Sequence, residues 1–74
     1  MHNYRFEVLD KYRIVSSEMA TLPTLKAAWR NVARLAGEAA EETFRIRVTD
    51  ENGGIVILTG VASARRVTAS LRAA

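Results

Sequence analysis

Side chains that commonly carry catalysis or bind metal ions are scarce in this chain of 74 residues. It contains one histidine, His2, and no cysteine. A standard zinc site or a cysteine–histidine catalytic pair therefore cannot be assembled from it. His2 also stands at the second position, where we expect a mobile chain end. The sequence predicts no metal ion and no cofactor.

The serines do not indicate nucleophilic catalysis either. None of them lies in a Gly-x-Ser-x-Gly elbow, and none has an identifiable general base. A serine–lysine pair needs a buried lysine, whereas Lys11 and Lys26 fall on a predicted turn and a predicted solvent face. We therefore expect that the protein is not an enzyme. The serines are Ser16, Ser17, Ser63 and Ser70.

The segment Asp50-Glu51-Asn52-Gly53-Gly54 has the composition of the start of a calcium-binding loop. An EF-hand loop needs an oxygen ligand at its fifth place, glycine at its sixth and glutamate at its twelfth. Gly54, Ile55 and Val61 stand at those places, so the pattern fails. Residues 50–54 are instead typical of a hairpin turn, because they tolerate a positive φ.

The positive charge is concentrated at the end of the chain. The net charge is +3, but residues 1–61 contain eight basic and eight acidic side chains. The excess comes from Arg65, Arg66 and Arg72, which are candidate contacts to nucleic-acid phosphates. The basic stripe of Lys26, Arg30 and Arg34 is closed at one end by acidic residues, which favours an ordinary solvated helix face.

Alternating apolar residues predict strands on both sides of a single helix. Residues 16–21 have no clear period and are predicted to be a loop. The predicted strands cover residues 4–9, 12–15, 44–49 and 55–59, with a tight turn at Asp10-Lys11.

The helix is predicted to begin after Pro23. Thr24 is a suitable N-cap, since its hydroxyl can accept a hydrogen bond from a backbone N–H of the first turn. Trp29 lies at the edge of the apolar arc, where either a buried rim position or a binding hot spot is consistent with the pattern. At a helical period the apolar arc consists of Leu25, Ala28, Trp29, Val32, Leu35, Ala36 and Ala39.

These elements predict an α+β fold of ββαββ type. A four-stranded antiparallel sheet of order 2-1-3-4 makes every neighbouring pair antiparallel, with the one helix packed on one face. The other face stays uncovered and mixes charged with aliphatic side chains, which suggests a contact surface. Another copy, a partner or the chain's own tail could cover it. The candidate interaction surface consists of Arg5, Leu9, Arg45, Arg47, Val56 and Leu58.

Residues 1–61 are predicted to form a single α+β domain, and residues 62–74 a basic C-terminal tail. A short helix and a disordered end are both compatible with the weak periodicity of the tail. A chain of this size without a disulfide often gains stability by oligomerising. No apolar stretch is long enough for a membrane span and no signal peptide is recognisable, so we expect a cytoplasmic protein.

The order of these signals resembles a family of short alpha-proteobacterial proteins that is known only as a domain of unknown function. The resemblance covers residues 4 to about 60. It supports the fold and implies no activity. The motifs that carry it are Tyr4-Arg5-Phe6-Glu7-Val8 with Asp10, Leu22-Pro23 followed by a cap and Leu25, Ala27-Ala28, and Val48-Thr49-Asp50-Glu51-Asn52-Gly53.

The chain departs from the pattern of that family at three places. Thr24 stands where an acidic cap is common, and glycines are usual near Lys11 and Met19. These departures concern the first hairpin and its loop rather than the helix.

Two hypotheses on function follow. The first is a small non-enzymatic interaction module that self-associates, or binds a small protein partner, through the open sheet face or a sheet edge. The alternative is a nucleic-acid-binding regulator of antitoxin type that uses Arg45, Arg47 and the C-terminal arginines, but the open face lacks the exposed aromatic residues that stack on bases.

Overall fold

A computed structural model describes the backbone of residues 1–73 and the side chains as far as Val67. Within this part, the elements follow one another as two strands, a helix, two strands and a second helix. They are β1 (His2–Asp10), β2 (Arg13–Leu22), α1 (Leu25–Glu38), β3 (Arg45–Thr49), β4 (Ile55–Gly60) and α2 (Val61–Ala73).

The strands form one four-stranded sheet among the described residues, in the order β2-β1-β3-β4. Each neighbouring pair is antiparallel, which confirms the predicted fold class and strand order. The register shifts once between β1 and β2, where Val15 is the extra residue, and once between β3 and β4, where Val56 is the extra residue. Such bulges bend the strand and re-aim its side chains.

Strand β2 is much longer than predicted. Its ladder with β1 extends from Asp10 opposite Arg13 to His2 opposite Leu22, so the prediction of a loop over residues 16–21 was wrong. Strand β2 is an edge strand with mostly exposed side chains, and it is held by backbone pairing with β1, by the half-buried Ala20 and Leu22 and by the ion pair of Glu18 with Arg34.

Helix α1 begins as predicted. The Thr24 hydroxyl accepts a hydrogen bond from the Ala27 backbone N–H at 3.1 Å, and the helix buries Ala28, Val32, Leu35 and Ala36. Leu25 departs from the predicted apolar arc, since it remains exposed in the first turn.

Both hairpin turns contain a residue at positive φ. Gly53 has φ 81°, and its N–H donates to the Asp50 carbonyl at 3.0 Å, which confirms the turn predicted at residues 50–54. Lys11 has φ 56°, a left-handed conformation that costs a residue with a side chain more than it costs glycine.

Helix α2 packs beside α1 on the same side of the sheet. Val61 and Ala64 are buried in one apolar cluster with Phe6, Val32 and Ile46. The Val61 N–H donates to the Phe44 carbonyl at 2.8 Å, which joins the start of α2 to the start of β3. Among the described residues, no element covers the opposite side of the sheet.

Candidate functional site

The uncovered side of the sheet carries most of the residues that the sequence singles out. Tyr4, Phe6 and Val8 of β1 belong to the core, so Arg5, Glu7 and Leu9 alternate to the other side. On β3, Ile46 and Val48 are buried in the same way, so Arg45, Arg47 and Thr49 alternate to the uncovered side. We call the uncovered side the open sheet face; it carries Arg5, Glu7, Leu9, Arg45, Arg47, Thr49 and their cross-strand neighbours on β2 and β4.

An ion pair occupies the centre of the open sheet face. Glu7 and Arg47 are directly opposite in the ladder, and the Arg47 Nε donates to Glu7 Oε1 at 3.0 Å. Although Glu7 lies on the uncovered side, its side chain is only 9% exposed, because neighbouring strands and the Arg47 side chain shield it. A carboxylate withdrawn from water in this way depends on its cation for stabilisation.

Exposed aliphatic side chains flank this ion pair on both sides. On β4, Leu58 is opposite Arg47 and is 57% exposed. On β2, Met19 is opposite Arg5 and Ile14 is opposite Leu9, and both are exposed. Ile55 lines a shallow depression together with Arg5, Glu7, Arg47, Thr49 and Gly53, so it also reaches the open sheet face.

Sequence reasoning missed three members of this surface: Ile14, Met19 and Ile55. Met19 escaped notice because the strand was predicted to end at Val15, whereas Ile14 lay within the predicted strand but was not assigned to a face. Ile55 was missed because the bulge at Val56 changes the alternation of β4, and nothing in the apolar run at 55–58 marks where that bulge falls.

The predicted surface residues differ widely in accessibility. Arg5, Arg45, Val56 and Leu58 are exposed, and Arg47 is about one third exposed. Leu9 is buried, 8% exposed, and therefore offers almost no contact area. Within the described residues, the side chains of Arg5 and Arg45 have no hydrogen-bonded or ionic partner, whereas that of Arg47 is held by Glu7.

Arg65 and Arg66 lie on α2, beside α1, rather than on the open sheet face. Arg65 donates from Nε to the Ala36 carbonyl at 2.8 Å and from a terminal nitrogen to the Ala39 carbonyl at 3.0 Å. These carbonyls end α1 and lack partners within their own helix, so Arg65 caps the helix from α2. It also pairs with Glu42 at 3.1 Å.

The absence of a local cap at the end of α1 could have indicated this role in advance. No basic residue lies in its last turn, and Ala39 rather than glycine follows it in an extended conformation. Arg66 donates to the Ser63 hydroxyl at 3.3 Å. The side chain of Arg72, the third candidate phosphate contact, lies outside the described residues.

The three residues of the basic stripe on α1 differ in whether an acidic side chain pairs with them. Arg34 pairs with Glu18 of β2 at 2.8 Å and with Glu38 at 3.2 Å, and the hydrogen bond to Glu18 raises the pKa of Arg34 above its ordinary value. Lys26 and Arg30 have no such partner within the described residues. Only the first two turns of α1 therefore present free positive charge.

His2 is ordered in β1 rather than lying at a mobile end, so that expectation was wrong. Its Nδ1 lies 3.2 Å from Glu51 Oε1, and the Asn3 backbone N–H donates to Glu51 Oε2 at 2.9 Å. The hydrogen bond from His2 is the largest of several contacts that lower the pKa of Glu51. These contacts join the first residues to the β3–β4 turn.

Two further kinds of feature are absent from the described residues. No group of three or more histidine, cysteine, aspartate or glutamate side chains is placed to hold a metal ion. No helix in this part of the chain has the length and apolar character needed to cross a membrane.

The fold and its exposed face define a small α+β domain with a four-stranded antiparallel sheet, helices on one side and a mixed charged and aliphatic surface on the other. Residues 3–62 match the family model described as a domain of unknown function, DUF6894, and the chain belongs to that family. No curated protein and no solved structure matched the chain significantly.

Proposed function

We propose that this domain is a small, non-enzymatic interaction module that self-associates along the β4 edge of its sheet. The observation that carries the proposal is the exposure of Val56 and Leu58 on an edge strand that contains no charged residue and no proline. Exposed edges of this kind are templates for pairing with another strand unless they are blocked.

The two edges of the sheet differ in how well they are blocked. Strand β2 carries the charged residues Arg13 and Glu18, which discourage pairing at an edge, whereas a single bulge is present in both edge strands and does not distinguish them. Strand β4 has the sequence Ile-Val-Ile-Leu-Thr-Gly and lies at the other end of the sheet order. The comparison favours β4 as the strand that pairs with a second copy.

A twofold axis at the β4 edge gives a chemically consistent interface. Antiparallel pairing of two β4 strands keeps each face of the sheet continuous across the axis. With Ile57 on the axis, Val56 of one copy stands opposite Leu58 of the other on the open side. The exposed arginines Arg5 and Arg45 stay on β1 and β3, away from the axis, so like charges are not brought together.

The absence of enzymatic activity is part of the same proposal. It is supported by the residue types of the chain, since one histidine, no cysteine and serines without a recognisable base leave no familiar catalytic arrangement. The contacts of two charged side chains are also structural rather than catalytic, since Arg65 caps a helix and Arg47 neutralises Glu7.

The alternative of nucleic-acid binding relies on arginines that mostly have other partners. Arg47 is paired with Glu7, Arg65 with the end of α1 and Arg66 with Ser63. Phosphate binding by several arginines would make affinity fall steeply with salt concentration. Salt-dependent binding to mixed duplex or single-stranded DNA, weakened by Arg45→Ala and by Arg66→Ala, would favour the alternative.

The experiment is sedimentation analysis of wild type and Leu58→Glu over a concentration series. Leu58 is opposite Arg47, so the new carboxylate gains a cross-strand cation in the monomer while it places charge in the dimer interface. We expect wild type to shift from monomer to dimer as concentration rises, and the variant to remain monomeric with an unchanged circular dichroism spectrum.

Leu25→Glu is the matched control. Leu25 is also an exposed leucine, at 45%, but it lies in the first turn of α1, where an acidic residue is electrostatically favourable. This variant should dimerise like wild type. A wild-type protein that stays monomeric at millimolar concentration, or a dimer that Leu58→Glu leaves intact, contradicts the proposal.

A further inference from the structure

A second surface lies on the other side of the molecule, in the groove between α1 and α2. The groove has a volume of about 190 Å³ and an almost entirely apolar lining. Trp29 is 40% exposed there and Val67 of α2 is 51% exposed. The remaining apolar lining comes from Val32, Ala33 and Ala64.

The groove combines an aromatic side chain with free positive charge. Lys26 and Arg30 line it, and neither has an ionic partner within the described residues. Arg34, one turn further along α1, is by contrast neutralised by Glu18 and Glu38. The first turn of α1 contains no acidic residue, so the positive end of the helix dipole adds to the same field.

The size of the groove limits what it can hold. Pockets for drug-sized ligands usually measure about 300–1,000 Å³ and enclose most of the ligand. An apolar cavity of about 150 Å³ is sufficient for one benzene molecule. The groove therefore matches a single large apolar side chain better than a whole small-molecule ligand.

We propose that this groove binds an acidic peptide segment of another protein. One leucine, phenylalanine or methionine side chain of the segment inserts between Trp29 and Val67, and neighbouring aspartate or glutamate side chains pair with Lys26 and Arg30. An aromatic anchor site surrounded by complementary charge is the arrangement in which a few residues supply most of the binding energy.

A second copy of this chain fits the groove less well. The exposed aliphatic residues of the open sheet face lie next to Arg5, Arg45 and Arg47, so they would bring like charges to Lys26 and Arg30. Tyr12, the most exposed aromatic residue of the described part, lies between Lys11 and Arg13. The proposal is thus independent of self-association along β4.

The chain carries its own reporter for this site, because Trp29 is its only tryptophan. Twelve-residue peptides without tryptophan would be selected from a display library on the full-length protein. The synthetic peptides would then be titrated while Trp29 fluorescence is recorded. We expect the selected peptides to contain one large apolar residue flanked by acidic residues. Their binding should shift the emission of Trp29 to the blue, because the indole loses contact with water.

Two variants locate the binding. Arg30→Glu reverses an exposed charge at the rim, and Ala33→Glu places a carboxylate in the groove; each should weaken binding by at least about tenfold. Arg13→Glu, an equal charge reversal at an exposed position of β2, is the control and should bind like wild type. Replacing the apolar anchor of the peptide with alanine should weaken binding to a similar extent.

Other outcomes overturn the proposal. Peptides without acidic residues, or binding that Arg30→Glu and Ala33→Glu leave unchanged, would exclude the groove as an acidic-peptide site. If peptides bind only after residues 68–74 are removed, the chain's own terminus fills the groove, and the inference fails while the β4 proposal stands.

Discussion

The side of the sheet that faces α1 and α2 is apolar and closed, whereas the open sheet face combines arginines, a shielded carboxylate and exposed aliphatic side chains. Both sides are built from alternate residues of the same strands. The pairing register of the strands therefore fixes which side chains each side carries and how they are spaced. The covered side uses these positions for stability. The open side exposes aliphatic groups that contribute little to stability, as the proposed contact surface requires.

Matched isoleucines give the largest expected difference between the two sides. Ile46 of β3 is fully buried in the core, and Ile46→Ala should lower the free energy of unfolding by about 2–5 kcal/mol. Ile55, at 58% exposure on β4, should change it by less than about 0.5 kcal/mol when replaced by alanine. Urea denaturation followed by circular dichroism measures both.

The domain is small, so Ile46→Ala could unfold it altogether. Ile46→Val removes one methylene group only and should cost about 0.5–1.5 kcal/mol, which keeps the comparison measurable. Equal losses of unfolding free energy at Ile46 and Ile55 would show that both sides of the sheet contribute alike to stability. That result would contradict the distinction between the covered side and the open sheet face.

Removing Arg47 should show that the open face also contains one stabilising element. Arg47→Leu leaves the Glu7 carboxylate shielded and without its cation, and we expect a loss of about 1–3 kcal/mol in unfolding free energy. The Glu7→Leu, Arg47→Leu double variant removes both charges and should recover most of that loss. A double variant no more stable than the single one would mean that packing of Arg47, not its charge, is what matters.

The smallest expected effect concerns the covered side. Arg65→Ala removes the hydrogen bonds to the Ala36 and Ala39 carbonyls at the end of α1, together with an exposed ion pair to Glu42 that adds little, so we expect a loss of about 1–2 kcal/mol. Arg66→Ala, its neighbour in sequence, breaks only a surface contact to Ser63 and should lie within about 0.5 kcal/mol of wild type. Thermal unfolding of the two variants side by side tests this, and an equal response would argue against the cap.

The features that could be predicted from the sequence are those with local chemical causes. The Thr24 cap, the apolar arc of α1 and the glycine of the β3–β4 turn each depend on nearby residues, and the strand order follows from connectivity. Residues 16–21 could not be predicted as strand, because the half-buried positions of their alternation, Glu18 and Ala20, are charged and small rather than strongly apolar, and the partners that hold them lie on β1 and α1.

Long-range contacts of the surface also escaped prediction. The role of Arg65 depends on carbonyls at Ala36 and Ala39, which lie 29 and 26 residues earlier in the chain. The shielding of Glu7 depends on which strand carries Arg47 beside it. The candidate surface was recognised in outline because its residues alternate with the core, whereas the accessibility of each one required the complete sheet.

Amide hydrogen exchange at low and high protein concentration tests the central claim, pairing along β4, most directly. If two copies pair there, the outward-facing amides of β4 should exchange more slowly as concentration rises, while those of the β2 edge remain unchanged. Leu58→Glu should abolish this added protection. Protection of β4 that does not depend on concentration, or that appears on β2 instead, would contradict the account.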